Sequence, residues 1–448
     1  MLIAIWSLFA LIFISAVYNY KRTVLVWMPL QFLFNAQIAL KYSSPALSFT
    51  LGVNIMLFML YWLRCHGKSK KLHLNNEQFF LKPVFIATLV SFLFSMIFSI
   101  VPLSNGINAT IKYFITNFAT IFFFQKVLND EKDIKLFFRA SLVVIFMITT
   151  LGIYEAVMKD NPVLDFIYLM TPQTEETAQR MFYVPPFLRD SGMLTMRYGM
   201  VRAYSFFGIH IAFGASCVFF MHLIMIVLRN KWNYFCKQGI LIVAAFLLIA
   251  GDFAANSKTS LFGIVILMFA FYKPSHIFHL KIIAPVILVI VVLFIYFPQY
   301  LNNYLSLIDS DLAAEGGGST ISVRERQMEV VWNMFLMNPV FGNGIGSINT
   351  LSSIGDNSDI LGAESSWFKL LPERGIFGAL VYIYTYFFLY KKMREYIPKR
   401  KSFFFLLTLL AMETATGFMN MTLYGAIILV VRRMYYIQKK SIANLKQI

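Results

Sequence analysis

The chain has 448 residues, 58% of them hydrophobic and only 14% charged, with a mean hydropathy of +0.67 and a net charge of +17. A soluble domain carries about 25% charged residues, so this composition excludes a globular protein with a water-facing surface. The basic excess sits in short clusters between apolar runs rather than along one stripe, which argues against nucleic acid as a partner.

Backbone polar groups in hydrocarbon must be satisfied within their own segment or in a closed barrel. The apolar runs are roughly 17–22 residues long, which is helix length, and lack the alternation of barrel strands. The expected fold class is therefore all-α, a polytopic transmembrane helix bundle. In chain order, spans are expected at 2–18, 24–40, 46–63, 83–103, 108–128, 140–158, 208–228, 239–256, 259–272, 282–299, 366–390, 402–418 and 420–436. The first and last pairs are tight hairpins, so the count is 12 to 14. Residues 2–18 lack a basic leader and read as a span, not as a cleaved signal. No Pro/Gly-rich linker or repeat divides the chain, so residues 1–448 are expected to form one integral membrane domain. Cys65, Cys217 and Cys236 give no disulfide framework.

The loops starting at Lys21, Arg64, Lys126, Arg229, Lys273, Lys391 and Arg432 hold 27 of the 39 Lys and Arg but 5 of the 22 Asp and Glu. Alternating spans put all of them on one side, which the positive-inside rule makes the cytoplasm. The C-terminus is then cytoplasmic, and the N-terminus lies outside if there are thirteen spans and inside if one early span is miscounted. Two long loops remain on the outer side, 159–207 and 300–365. The second is acidic yet keeps Arg324 and Arg326.

Four places carry candidate chemistry. The approach to the seventh span holds Arg197 and Arg202-Ala-Tyr204-Ser-Phe-Phe-Gly208. Cations there suit a phosphate, or else anchor the chain at the interface. Asp252 to Ser260 joins two short spans; Asp252 and Lys258 either pair or Lys258 snorkels to the headgroups. Next, Arg324-Glu-Arg326 precedes an amphipathic stretch in which Met328, Val331, Trp332, Phe335 and Leu336 share helical spacing, with their face against the membrane or the bundle. Asn338-Pro339 ends that helix, and Gly342-Asn-Gly344-Ile-Gly346 permits tight turns or close approach to a ligand. Last, Glu364-Ser365 precedes Leu371-Pro-Glu373-Arg374-Gly375-Ile-Phe-Gly378; Glu364 is either a general base or a helix-capping carboxylate.

In order and spacing, these four places resemble the O-antigen polymerase and ligase family of lipid-linked glycan transferases, over about residues 195–385. The Arg-x-x-Ser-x-Phe-Gly-like element is Arg202 to Gly208, and the Ser-Arg-Thr-like turn is Ser257-Lys258-Thr259. The Arg ahead of Pro-x-x-Gly-x-Gly is Arg324 before Pro339 to Gly344. The polar pair ahead of Leu-x-Glu-x-Gly-Ile-x-Gly is Glu364-Ser365 before Leu371 to Gly378. Two departures stand out: Lys258 replaces an Arg common in the family, and Glu364-Ser365 replaces the His-Asn common in ligases, which tilts the resemblance toward a polymerase.

The resemblance implies a metal-independent glycosyltransferase of the bacterial cytoplasmic (inner) membrane, acting on the periplasmic or extracytoplasmic side. A growing glycan on undecaprenyl diphosphate would pass to the next lipid-linked repeat unit, building O-antigen, capsule or another surface polysaccharide. Arg202, Arg324 and Glu364 are the implied catalytic residues. Arg197, Tyr204, Lys258, Arg326, Gly342 and Gly344 are the implied substrate-binding residues. No metal and no cofactor are expected. The implied partners are the donor and acceptor lipids, the bilayer and a chain-length regulator. The alternatives are an O-antigen ligase acting on lipid A core and a transporter or flippase of lipid-linked sugars, which would place its charges near the midplane.

Overall fold

The computed structural model describes residues 2–34, 38–42, 47–66, 77–171, 196–198, 200–229, 236–271, 295, 298–306, 309, 311–312, 321–348, 365–416 and 421–445. They form an all-α bundle with two small hairpins. The helices are α1 (Leu2–Tyr18), α2 (Tyr20–Leu30), α3 (Phe49–His66), α4 (Lys82–Ile97), α5 (Leu103–Phe114), α6 (Thr120–Val127), α7 (Glu131–Met158) and α8 (Pro162–Met170). There follow α9 (His210–Arg229), α10 (Gln238–Ala255), α11 (Lys258–Phe271), α12 (Pro298–Leu305), α13 (Ile321–Met337), α14 (Ser366–Arg394), α15 (Lys399–Thr416) and α16 (Met421–Leu445). Strands β1 (Ala39–Lys41) and β2 (Leu47–Ser48) pair antiparallel, as do β3 (Met196–Arg197) and β4 (Met200–Val201).

Among the described helices, α7, α9 through Leu228, and α10 are each long and apolar enough to cross a membrane. Shorter apolar helices lie at Leu2–Tyr18, Phe49–Cys65, Lys82–Ile97 and Lys258–Leu267. α9 is the most enclosed, packed on α10 and α11, while α7 packs on α2 and α10. The core is built from aromatic rings, among them Phe213, Phe220, Phe124 and Phe405. Apolar side chains elsewhere on the helices, such as Phe146, Phe246 and Phe387, point outward. In water that exposure would be unfavourable; in a bilayer it is the expected lipid-facing surface.

Several expected spans change their limits. The span expected at 24–40 is instead α2, a 3₁₀ turn at Gln31–Leu33 and the hairpin strand β1. Pro29 removes a donor and ends the regular helix, and Gln31 Nε2 caps the Met28 carbonyl at 2.8 Å. The Lys21-Arg22 loop is the first turn of α2, opened by the Asn19 side chain. The span expected at 108–128 is α5, a π-helical turn at Ile115–Ala119 and α6. α7 begins nine residues before the expected 140, because Asp130 and Asp133 form a reciprocal capping box. The span expected at 282–299 lies almost wholly outside the described residues.

Among the described residues, the bundle has two chemically distinct ends. At one end the basic segments are bound together: Lys21 to Asp133 at 2.8 Å, Arg432 to Glu77 at 2.6 Å, and Arg433 to Glu77 at 3.4 Å. Arg433 also donates to the Leu128 carbonyl and Lys126 to the Glu77 carbonyl. At the opposite, far end lie the segments singled out above as candidates.

Candidate functional site

Arg202 follows β4 and is nearly buried, at 9% exposure. What fixes it is a turn two residues on. The backbone N–H groups of Tyr204 and Ser205 both donate to Glu155 Oε2, at 2.9 and 2.8 Å. Asn161 Nδ2 donates to the same oxygen at 2.6 Å and to the Ser205 carbonyl at 2.8 Å. The Ser205 hydroxyl donates to the Ile148 carbonyl. Ser205 holds φ at +55°, a left-handed conformation that costs a non-glycine residue about 1–2 kcal/mol. A carboxylate accepting two adjacent amides holds such a turn in place. Glu155 is itself 1% exposed, near the far end of α7. Tyr204 packs against Leu164 and Ile167 of α8 and edges onto His210; its burial there leaves it as an anchor for the turn. Arg197 is in β3, with its backbone paired to Met200.

Next to this turn lies the Asn256–Lys258 segment. The Ala203 amide donates to the Ala254 carbonyl at 3.0 Å. Asn256 ends α10 in a left-handed conformation, φ +48°, and Asn303 Nδ2 of α12 holds its side-chain oxygen at 2.7 Å. Lys258 Nζ donates to Ser306 Oγ at 2.9 Å. The expected choice between an Asp252–Lys258 pair and a snorkelling Lys258 gives way to two separate arrangements. Lys258 reaches across to the segment after α12, and Asp252 lies buried beside Ser260 and the backbone of Gly214. The two long loops also meet, through a short hydrogen bond from the Tyr198 hydroxyl to the Leu312 carbonyl.

A second group of residues lies around α13 and α14. Arg324 Nη1 donates to Gln327 Oε1 at 2.9 Å, and Arg326 is exposed. α13 ends at Met337, ahead of Asn338-Pro339 as expected. α14 is broken: Pro372 lies inside it, and Gly375 has φ +60° and ψ −163°. The Pro339–Gly346 loop fills that break. Asn343 N donates to the Pro372 carbonyl at 2.7 Å, and Gly344 N to the Glu373 carbonyl at 3.2 Å. Gly346 N donates to Glu373 Oε1 at 3.0 Å. In return, Ile376 N and Phe377 N donate to the carbonyls of Pro339 and Val340. Gly342 and Gly344 have φ of +76° and +103°, and a Cβ on Gly342 would lie 2.3 Å from the backbone of Glu373 and Arg374. Both glycines are thus engaged in close backbone packing. The end of α4 completes the joint: Ser95 Oγ donates to the Glu373 carbonyl, Ile100 N to the Asn343 carbonyl, and Arg374 lies 4.8 Å over the Phe92 ring.

Glu364 lies outside the described residues. Its neighbour Ser365 caps α14 by accepting from Trp367 N. Ser366 Oγ and the Tyr382 hydroxyl both donate to Glu413 Oε2, at 2.8 and 2.9 Å, which places a further buried carboxylate beneath the start of α14. The structure therefore links the Arg202–Tyr204 turn to the end of α10 just before Lys258, whereas Arg324 lies in the first turn of α13 and Gly342 and Gly344 lie beyond its last turn, against the break in α14.

Residues 243–383 match the family model described as O-antigen ligase. This match, over part of the chain, supports membership of the O-antigen ligase and polymerase family. The match takes in the Lys258 turn, α13, the glycine loop and the broken part of α14. The Glu155–Ser205 clamp precedes it. Members of this family are glycan-transferring enzymes of membranes, ligases and polymerases alike. No curated protein matches the chain.

Sequence reasoning missed Glu155, Asn161 and Asn343 as organisers of the site. Glu155 carried a signal, as a lone carboxylate in the apolar run of α7; its partners lie too far along the chain to be found by spacing.

Proposed function

We propose that the chain polymerises lipid-diphosphate-linked oligosaccharide repeat units into a surface polysaccharide on the outer leaflet of the cytoplasmic membrane. In this reading the anomeric carbon–oxygen bond to the diphosphate of the donor breaks, and undecaprenyl diphosphate leaves with the bonding electrons. A hydroxyl at the non-reducing end of the acceptor repeat unit forms the new glycosidic bond, and its proton passes to Glu364. Negative charge gathers on the departing diphosphate. Cations fixed before the reaction stabilise that charge more in the transition state than in the ground state. Arg202, Arg324 and Lys258 take this role, with Arg197 and Arg326 at the edge of the site.

The observation that carries the reading is the clamp on Arg202. Its following turn is held by Glu155, and Ala203 N donates to the Ala254 carbonyl at the end of α10, just ahead of the Asn256–Lys258 segment, so two cations sit close to one backbone junction in a chain that resembles glycan transferases. The positions of Glu155 and Glu413, each hydrogen-bonded near a helix end at the far side, favour transferase over transporter.

The description of the matched family favours a second reading, in which the acceptor is a lipid A core. Deleting the gene separates the two. Loss of a polymerase leaves single repeats on the core, whereas loss of a ligase leaves long lipid-linked polymer and bare core. Under the first reading, Arg202→Ala and Arg324→Ala abolish the glycan ladder on gels at unchanged protein level; intact ladders in both variants would remove the assigned roles.

A further inference from the structure

α13 carries three stripes. Val330, Val331, Met334 and Phe335 are buried, the first three in a cluster with Ile348 that Phe368 and Leu371 of α14 cover. Glu325, Glu329 and Asn333 form an exposed polar stripe. Between them Met328, Trp332 and Leu336, spaced four residues apart, are 46%, 50% and 55% exposed. A helix packed on one side and apolar on a second exposed side has another apolar medium to meet.

That medium is identified by what the stripe runs into. Beyond Leu336 the exposed apolar surface continues through Met337 and Val340. There Phe341 stacks on Phe94 and Phe98 at 4.9 and 4.8 Å, at the far end of α4. Ile97 and Ile100 are exposed beside them, and Ile376, Leu380 and Ile383 continue the surface down α14. The stripe is thus one edge of the lipid-facing flank of the bundle. α13 itself cannot be a span. It has 17 residues, about 25 Å of helix, but carries Arg324, Glu325, Arg326 and Glu329. A helix with a charged face and an exposed apolar face that carries a tryptophan lies in the interfacial plane of a bilayer.

We infer that α13 is an interfacial helix, lying on the outer leaflet with Met328, Trp332 and Leu336 in the lipid and its first turn, with Arg324 and Arg326, at headgroup level. The inference goes beyond the glycan-transfer reading and stands whichever acceptor is used. Its consequence for that reading is that a lipid diphosphate would arrive at Arg324 from within the leaflet.

The test is membrane depth, read by nitroxide labels on the full-length protein. In a background with Cys65→Ser and Cys236→Ser, the buried Cys217 remains. Single cysteines then replace Met328, Trp332 and Leu336, or Glu329 and Asn333. Each labelled protein goes into vesicles of phosphatidylethanolamine and phosphatidylglycerol, and collisions with oxygen and with a water-soluble nickel complex are compared. The first three labels should report depths of about 5–10 Å below the phosphates, with an oxygen-to-nickel ratio several-fold above that of the labels at 329 and 333. Water access at all five positions overturns the inference. So does dipolar broadening between labels at 328, 332 or 336, which would make the stripe a contact between two copies of the chain. If Trp332→Cys fails to accumulate, the labels at 328 and 336 decide.

Discussion

Glu155 accepts three hydrogen bonds through one oxygen, and two of the donors are backbone amides forty-nine and fifty residues further on. Removing that acceptor leaves buried N–H groups unsatisfied, at about 1–3 kcal/mol each, in a turn that also holds Ser205 in a strained conformation. Glu155→Ala is therefore expected to reduce glycan transfer toward the level of Arg202→Ala. Glu155→Gln, whose amide oxygen can still accept, should retain more activity. Ladder length at matched protein level measures both, and full activity in Glu155→Ala would separate the clamp from the chemistry. Arg202 and Lys258 stood out in the sequence as cations beside spans on the acidic side, with interfacial anchoring and snorkelling as the alternatives. Glu155 was visible only as a lone carboxylate, since its partners are set by tertiary contact.

The element that departs most from an ideal helix is α14. Its break at Pro372–Gly375 exposes backbone groups that the Pro339–Gly346 loop satisfies, so two motifs separate in sequence form one joint. The glycines of that loop differ in what surrounds them. Gly342→Ala meets the backbone of α14 at 2.3 Å as well as an unfavourable φ. It should destabilise the protein by about 2–4 kcal/mol, from conformational strain and overpacking together. Gly346→Ala faces open space and bears only the φ penalty, about 1 kcal/mol. Thermal unfolding in detergent should rank the two variants in that order; equal losses would mean that the joint is looser than described. Helix lengths were largely readable from the apolar runs, because hydrocarbon thickness sets them. The interruptions were not. Pro29 ends α2 in the middle of an apolar run, and the π-helical turn at Ile115–Ala119 leaves no mark in hydropathy. The tight turns of the glycine loop were foreseen, but not that they would serve to fill a broken helix.

Across the whole molecule, charge and bonding divide the bundle into two ends, one tied by Lys21, Glu77, Asp133, Arg432 and Arg433, the other carrying the candidate site. This division follows from the clustering of Lys and Arg, which is why it was the most legible feature of the chain. It predicts that a membrane-impermeant maleimide leaves Cys65, an exposed thiol near the basic end of α3, unlabelled in intact cells. Permeabilisation should then label it, while the buried Cys217 stays unreactive in both. Labelling of Cys65 in intact cells would invert the orientation and remove the proposed outer-leaflet site.

The joint around Glu373 has a consequence for engineering. The segment that matches the family model begins at residue 243, yet its broken helix is braced by Phe92, Ser95 and Ile100. A chimera that transplants the matched segment into a relative would leave that brace behind. Exchanges meant to swap acceptor preference should therefore carry residues 82–103 along with the downstream half, as a single cassette in two pieces.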